Sequence, residues 1–160
     1  MDGATLARAF ERNLRVVEMQ TDGLTHEDSL TQHPYNVNCL NWVLGHVAQN
    51  RDVVLGVLGV DEVLSERRRD RYARESDPVT GDGPDVVRLD ELLAVVQTQQ
   101  RRLDESLAPL TPDELAAPHV WGDAEMSLLR RVHFHYFHET YHVGQTDLLR
   151  QMSGKSDAVL

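Results

Sequence analysis

Cysteine is almost absent from this chain of 160 residues, which contains only Cys39. A lone cysteine excludes an internal disulfide framework and fits a reducing compartment, so we expect a cytoplasmic protein. No apolar run is long enough to span a membrane, and the polar start MDGATLARAFERNL has no basic region before an apolar stretch. The sequence therefore predicts neither a membrane span nor a signal peptide.

Positive charge is also scarce, because 16 Lys and Arg face 26 Asp and Glu, for a formal net charge of -10 at pH 7. An acidic surface repels the phosphates of DNA and RNA, so we expect no nucleic-acid partner. Hydrophobic residues make up 41% of the chain, which is typical of a globular protein with a packed core. The length fits one domain, residues 1–160.

The spacing of apolar residues predicts four long amphipathic helices and no convincing strand. The helices are expected at about residues 4–20, 37–58, 88–107 and 124–152. The connecting segments are predicted to be a loop at 24–36, a charged stretch that could extend as a solvated helix at 61–77, a loop at 77–85, a capped turn from Thr111 and irregular chain at 117–123. This pattern indicates an all-α fold, a four-helix bundle.

Two of the predicted helices carry histidines on their inward faces. The expected inward residues of the second helix are Cys39, Trp42, Val43, His46, Asn50, Val53 and Val57, and those of the last helix are Phe134, His138, Tyr141, His142, Gln145, Leu149 and Met152. His138 and His142 lie one helical turn apart, so their rings can bind one ion. His46 lies on an apolar face and needs a partner. Facing helices can share a metal site, with hydrogen-bonded core histidines as the alternative.

His135 is a rival ligand, one turn before His138. It lies seven residues from His142, which is roughly 10 Å along the helix axis, so one ion could hardly bind both. We expect His135 at the edge of the pocket or beside the ligands, and a solvated or hydrogen-bonded ring is the alternative.

The segment HETYH, residues 138–142, also matches H-E-x-x-H, the zinc-binding core of a class of metalloproteases. One branch of that class requires a third His downstream and a Gly three residues after the second His. Here Gly144 follows His142 by two residues, and no later His exists. Another branch requires a downstream Glu, and none follows Glu139. These differences disfavour a protease.

Two longer segments, NWVLGHVAQNRDVVLGVLG (41–59) and HFHYFHETYHVGQTDLLRQMSG (133–154), resemble the signature helices of the DinB-like superfamily. The stretch YHVGQTDLLRQMSG follows that family's H-x-G-Q…L-R…G ending, and the resemblance covers essentially the whole chain. It implies a four-helix bundle, often homodimeric, with a divalent metal held by three histidines. These carry over to His46, His138 and His142. Zinc or nickel is the favoured ion, with manganese or iron as alternatives.

The resemblance also implies a chemistry. Three His ligands leave a coordination position open for water or a substrate atom. Several relatives are thiol-dependent transferases or isomerases that use bacillithiol, mycothiol or glutathione, and others are hydrolase-like. We therefore expect a metal-dependent thiol S-transferase or hydrolase-like enzyme that acts on a small molecule. The alternative is a non-catalytic, stress-associated homodimer that binds metal, which a sealed metal position would favour over a deep cavity.

Other positions near the expected ligands have two interpretations each. Glu139 is either a general base or a solvent-facing side chain. The pocket candidates, with plain core as their alternative, are Trp42, Asn50, Tyr141 and Gln145. Gln145 could also orient a metal ligand. The basic cluster ERRRDR, residues 66–71, either binds an acidic substrate or forms a solvated helix face.

Overall fold

The computed structural model describes residues 1–35, 37–122, 124–157 and 159. Its elements, in chain order, are α1 (Gly3–Thr21), α2 (His26–Ser29), α3 (Leu40–Val57), α4 (Glu66–Arg71), α5 (Leu89–Leu107), α6 (Pro112–Ala116), β1 (Pro118–Trp121), β2 (Ala124–Ser127) and α7 (Leu128–Met152). The four long helices α1, α3, α5 and α7 confirm the all-α prediction. No helix in the described ranges combines the length and apolar character needed to cross a membrane.

The four long helices form a square bundle, in which α1 and α3 each pack against both α5 and α7. Asn13 of α1 donates a hydrogen bond to Thr140 of α7 over 3.0 Å. Closer to the C-terminal ends of both helices, Gln20 donates to Asp147 over 3.3 Å. Because the residue numbers rise along both helices from the first contact to the second, α1 and α7 run parallel.

Helices α3 and α5 also run parallel. Asn41 near the start of α3 donates to the carbonyl of Val87, just before α5, and the Ala48 carbonyl accepts from Gln99 in the middle of α5. Two consecutive long helices that point the same way need a connection that returns along the bundle. Residues 58–88 provide that connection, which passes over the outer side of α3.

Tyr72 anchors this crossover to α3. Its ring is fully buried and lies so close to Gly45 that a Cβ added there would come within 2.1 Å of the ring. Its hydroxyl donates to Asn41 Oδ1 over 2.9 Å and accepts from the Val87 N–H over 2.8 Å. The charged stretch 61–77 is therefore not one solvated helix, because a short helix, α4, is followed by a buried aromatic residue.

Several predicted boundaries are confirmed and others shift. Helix α1 extends one residue beyond its prediction at each end, α3 begins at Leu40 rather than about 37, and Gly59 ends the α3 region with a φ of 72°. The Thr111 capping box is present at the start of α6. Thr25 and Asp28 form a second capping box, which starts α2 inside the predicted loop.

The prediction of no strand is wrong at one place. Strands β1 and β2 pair antiparallel, with Pro118 opposite Ser127 and Trp121 opposite Ala124. Because residues 124–127 belong to β2, α7 begins at Leu128 rather than at about 124. Two residues of the predicted loop and irregular segment, Asn36 and Asp123, lie outside the described residues.

The predicted inward face of α3 is confirmed in its first half. The buried members are Cys39, Trp42, Val43, His46 and Asn50. Val53 and Val57 are only half-buried. Val54 and Leu55 occupy the core positions at this end of the helix instead.

The buried face of α7 differs from the prediction. Phe134 and Tyr141, expected inside, are 46% and 62% exposed. The buried residues of this helix are Val132, His135, Glu139, Val143, Thr146, Leu149 and Arg150. The prediction counted aromatic rings as core, whereas polar side chains are buried here because they have partners on other helices. His138 and His142 consequently lie half-buried at the edge of the core-facing side.

Candidate metal centre

The three predicted ligands come together in one cluster. His46 extends from α3, while His138 and His142 extend from α7, and one ring nitrogen of each lies within 4.8 Å of the other two. The Nε2 atoms of His138 and His142 are 3.2 Å apart. Two nitrogens that bind one tetrahedral zinc ion at about 2.05 Å are separated by about 3.3 Å. The spacing of this pair therefore fits a shared metal ion.

The orientation of His46 is determined by the crossover. Its Nδ1 donates to the carbonyl of Tyr72 over 2.7 Å, so the lone pair of the ring is on Nε2, the atom left for an ion. The Trp42 ring stacks on a face of the His46 ring, with the two ring centroids 4.8 Å apart and the two planes 17° from parallel. His46 is only 4% exposed. These contacts hold the ring before any ion binds.

Gln145 orients His142 in the same way. The His142 Nδ1 donates to Gln145 Oε1 over 2.8 Å, which places the lone pair on Nε2. Gln145 therefore holds the His142 ring, as its interpretation as an orienting residue requires. Its position three residues after His142 on α7 brings the amide beside the ring.

All three rings are held in the neutral form that binds metal. Burial lowers the pKa of His46 to about 4. Burial also lowers the pKa of His138 and that of His142, and the charges of His142 and Arg74 lower the pKa of His138 further. At neutral pH no proton competes with an ion for these nitrogens. A divalent ion on three neutral ligands would keep its full positive charge, which favours binding of an anionic substrate atom.

The centre is open on one side. His142 borders a groove of ≈ 870 Å³, and the groove also reaches Trp42 and Gln145. His138 and His142 are only half-buried. Of the three histidines, His142 alone lines the groove, so the groove meets the cluster at that ring.

His135 lies near the ligands and is held as a hydrogen-bonded core histidine. Its Nδ1 donates to Asn50 Oδ1 over 2.8 Å, and Asn50 Nδ2 donates to the His135 carbonyl over 3.1 Å. The ring is 7% exposed, and burial lowers its pKa to about 4. It does not belong to the three-histidine cluster. The hydrogen-bonded interpretation of His135 is confirmed, and Asn50 is its partner.

Glu139 fits neither of its two interpretations. Its carboxylate is fully buried and receives two hydrogen bonds from the guanidinium of Arg51, at 3.0 and 2.8 Å. Arg51 also donates to the Phe10 carbonyl of α1 and to the Val96 carbonyl and Gln100 Oε1 of α5. This one side chain of α3 therefore binds all three other long helices. Nothing in the local sequence around Glu139 indicated this pairing, because Arg51 is 88 residues away.

The remaining candidates lie at the edge of the site or away from it. Tyr141 is an exposed residue on the wall of the groove, and Trp42 both stacks on His46 and lines the groove. The basic cluster 66–71 forms α4, and three of its four arginines make ion pairs. The pairs are Arg67–Asp85, Arg68–Glu91 and Arg69–Glu62. These carboxylates neutralise the cluster, which favours the solvated-face interpretation.

Comparisons with known proteins identify the family and support the fold. The sequence model of the DinB superfamily matches residues 9–146. The chain belongs to the DinB superfamily. A crystal structure described as a conserved protein from Enterococcus faecalis has a similar fold, with a TM-score of 0.72 and 16% identity over 96% of this chain and 98% of that chain. No curated protein matches this DinB-superfamily chain significantly.

Proposed function

We propose that this DinB-superfamily protein is a divalent-metal-dependent enzyme acting on a small molecule, with His46, His138 and His142 as the ligands. The observation that carries the proposal is a cluster of three neutral imidazoles beside an open groove. Among the described residues, no cysteine or carboxylate joins the cluster to complete a fourth ligand. Three protein ligands and one open position are typical of catalytic metal sites, whereas closed sites are structural.

The surroundings of the cluster favour thiol S-transfer over hydrolysis. A divalent ion held by His46, His138 and His142 would supply Lewis acidity and would lower the pKa of a thiol bound beside it, so that solvent water could take the proton. A general base would accelerate hydrolysis, but the nearby carboxylate of Glu139 is held in a buried ion pair with Arg51. A low-molecular-weight thiol such as bacillithiol, mycothiol or glutathione is therefore the proposed second cofactor. The Tyr72 carbonyl and Gln145 hold the ligand rings in position during the reaction.

The test of the metal site is elemental analysis of the untagged protein by plasma mass spectrometry. We expect about one zinc or nickel ion per chain, and a sharp loss in His46→Ala because two ligands bind far more weakly than three. His133→Ala is the control, since His133 lies on α7, the helix that carries His138 and His142, but is exposed. Absence of metal from the protein after incubation with zinc, nickel and manganese would refute the site.

Turnover is tested separately on the metal-loaded protein. Each of the three thiols is offered with monochlorobimane, and the thioether product is measured by fluorescence. We expect a rate that requires both thiol and metal and that is lost in His46→Ala. Stoichiometric metal without turnover of any thiol, or of ester substrates, would favour the non-catalytic alternative.

A homodimer is a further part of the proposal. It is supported by Phe134 and Phe137, large apolar side chains on α7 that are 46% and 64% exposed and lie outside the groove lining. Sedimentation velocity should show a dimer that Phe137→Glu dissociates. A monomer at micromolar concentration would contradict this part of the proposal and leave the metal site unaffected.

A further inference from the structure

The groove beside the metal centre differs chemically from the rest of the surface. It lies between the C-terminal half of α7, the start of α3 and the residues that precede it. Its lining residues are Tyr35, Val37, Asn38, Trp42, Val43, Tyr141, His142, Gly144, Gln145, Leu148, Leu149 and Met152. Among the described residues of this lining there is no Asp, Glu, Lys or Arg, although charged residues make up 26% of the chain.

An uncharged lining limits what the groove can bind. A carboxylate or phosphate placed along these side chains, away from the ion, would lose water and gain no protein cation in return, which costs several kcal/mol. Exposed apolar side chains such as Leu148 (60%) and Val37 (51%) would instead gain from contact with an apolar ligand. The volume of ≈ 870 Å³ suits a small organic molecule.

One end of the groove is shared with the metal centre. His142 lines the groove and carries one converging Nε2, and Trp42 lines the groove while stacking on His46. Gln145 lines it too and holds the His142 ring. A ligand that lies in the groove would therefore reach the cluster at the His142 ring.

We propose that this groove, lined by Trp42, Tyr141 and Leu148, binds the substrate of the metal centre, and that this substrate is an uncharged, largely apolar small molecule with one polar atom at the metal end. The inference rests on the proposed function and adds the substrate class. In a thiol-transfer reaction the groove holds the apolar electrophile. The charged groups of the thiol remain in solvent, because the lining has no cation to pair with them.

Two dyes that share one aromatic framework test the ligand class on the zinc-loaded full chain. N-phenyl-1-naphthylamine is neutral, and 8-anilinonaphthalene-1-sulfonate adds one negative charge. Titrations at about 0.5 M NaCl reduce the screening length to about 4 Å, so that the net charge of -10 does not by itself repel the anion. We expect the neutral dye to bind once per chain, about tenfold or more tighter than the anionic dye.

Matched variants place the dye in the groove. Leu148→Glu puts a carboxylate into the lining and should weaken binding of the neutral dye about tenfold or more. Met19→Glu introduces the same charge at an exposed residue of α1, outside the lining, and should leave binding unchanged. Circular dichroism and zinc content of both variants show that each is folded. Equal affinity for the two dyes, or unchanged binding in Leu148→Glu, overturns the inference.

The metal end is tested with 4-phenylimidazole, which should displace the neutral dye about tenfold more effectively from zinc-loaded than from metal-free protein. Equal displacement from the two forms overturns the placement of the groove at the metal.

A dimer that Leu148→Glu dissociates, with dye bound only to the monomer, makes a second copy the occupant and also overturns the inference. Failure of zinc binding with intact dye binding refutes the proposed function instead, and supports the ligand class of the groove. Normal zinc binding without dye binding refutes this inference alone.

Discussion

Replacement of Glu139 with glutamine should destabilise the fold while leaving the metal site occupied. Glu139 has no contact with an ion in our assignment, and its carboxylate binds Arg51 in a fully buried pair. Glutamine keeps the shape of the side chain and one acceptor oxygen, but it removes the charge that compensates the guanidinium. Arg51 would then remain buried with only neutral acceptors, the Phe10 and Val96 carbonyls and Gln100 Oε1.

The expected loss in free energy of unfolding is about 3 kcal/mol. Removal of one partner from a buried ion pair costs about 3–5 kcal/mol, and retention of the side-chain shape places this variant near the lower limit. For a chain of 160 residues, the corresponding fall in Tm is roughly 6–12 °C.

The assay is urea denaturation with a chelator present, so that metal binding does not contribute to the stability of the native state. Glu11→Gln is the matched control, because Glu11 forms an ion pair with Arg15 on the exposed surface of α1. That exposed pair should contribute less than about 1 kcal/mol. The zinc content of Glu139→Gln, measured on folded protein, should equal that of the wild type.

One outcome would instead make Glu139 a catalytic residue. If Glu139→Gln kept wild-type stability but lost turnover about a hundredfold, Glu139 would act as a general base. The H-E-x-x-H analogy would then describe this site better than the buried pair does.

Three further measurements follow from the structure. Gln145→Ala should weaken zinc affinity about 10–100-fold in a chelator competition, because His142 loses the acceptor for its Nδ1–H, and Gln145→Glu should restore most of that affinity. Gly45→Ala should cost about 1–3 kcal/mol in urea denaturation and weaken zinc binding, because the added methyl displaces Tyr72, whose carbonyl holds a ligand ring. Cys39 should react with a disulfide reagent on the order of a hundredfold more slowly in native than in unfolded protein, because burial shields the thiol and raises its pKa; equal rates would contradict its burial.

Local sequence signals were sufficient to predict the long helices and to place His138 and His142 on one face of α7. Periodicity predicted the four long helices because a helix repeats every 3.6 residues, whatever its neighbours are. The capping box at Thr111 was equally readable, since its partners are three residues apart. The one-turn spacing of His138 and His142 placed both rings on one face for the same reason.

Non-local contacts account for what the sequence did not reveal. The face of α7 that enters the core is chosen by polar partners elsewhere, such as Arg51 for Glu139 and Asn50 for His135. Each pair joins residues that are 85 or more positions apart, so no window of sequence contains both. Hydrophobic periodicity placed Phe134 and Tyr141 on the inward face of α7 and left Glu139 and His135 off it, although the structure exposes the two aromatic residues and buries the two polar ones.

The sequence by itself determined the four long helices and the one-turn spacing of His138 and His142, because both depend on helical periodicity within single segments, whereas His46 joined the expected set through the resemblance to the DinB-like superfamily. The tertiary structure decided how those histidines meet. The return of the chain between two parallel helices carries Tyr72 across α3, and its carbonyl orients His46 toward the pair on α7. The uncharged groove likewise exists only where α3 and α7 lie side by side, since its wall combines residues that are about a hundred positions apart.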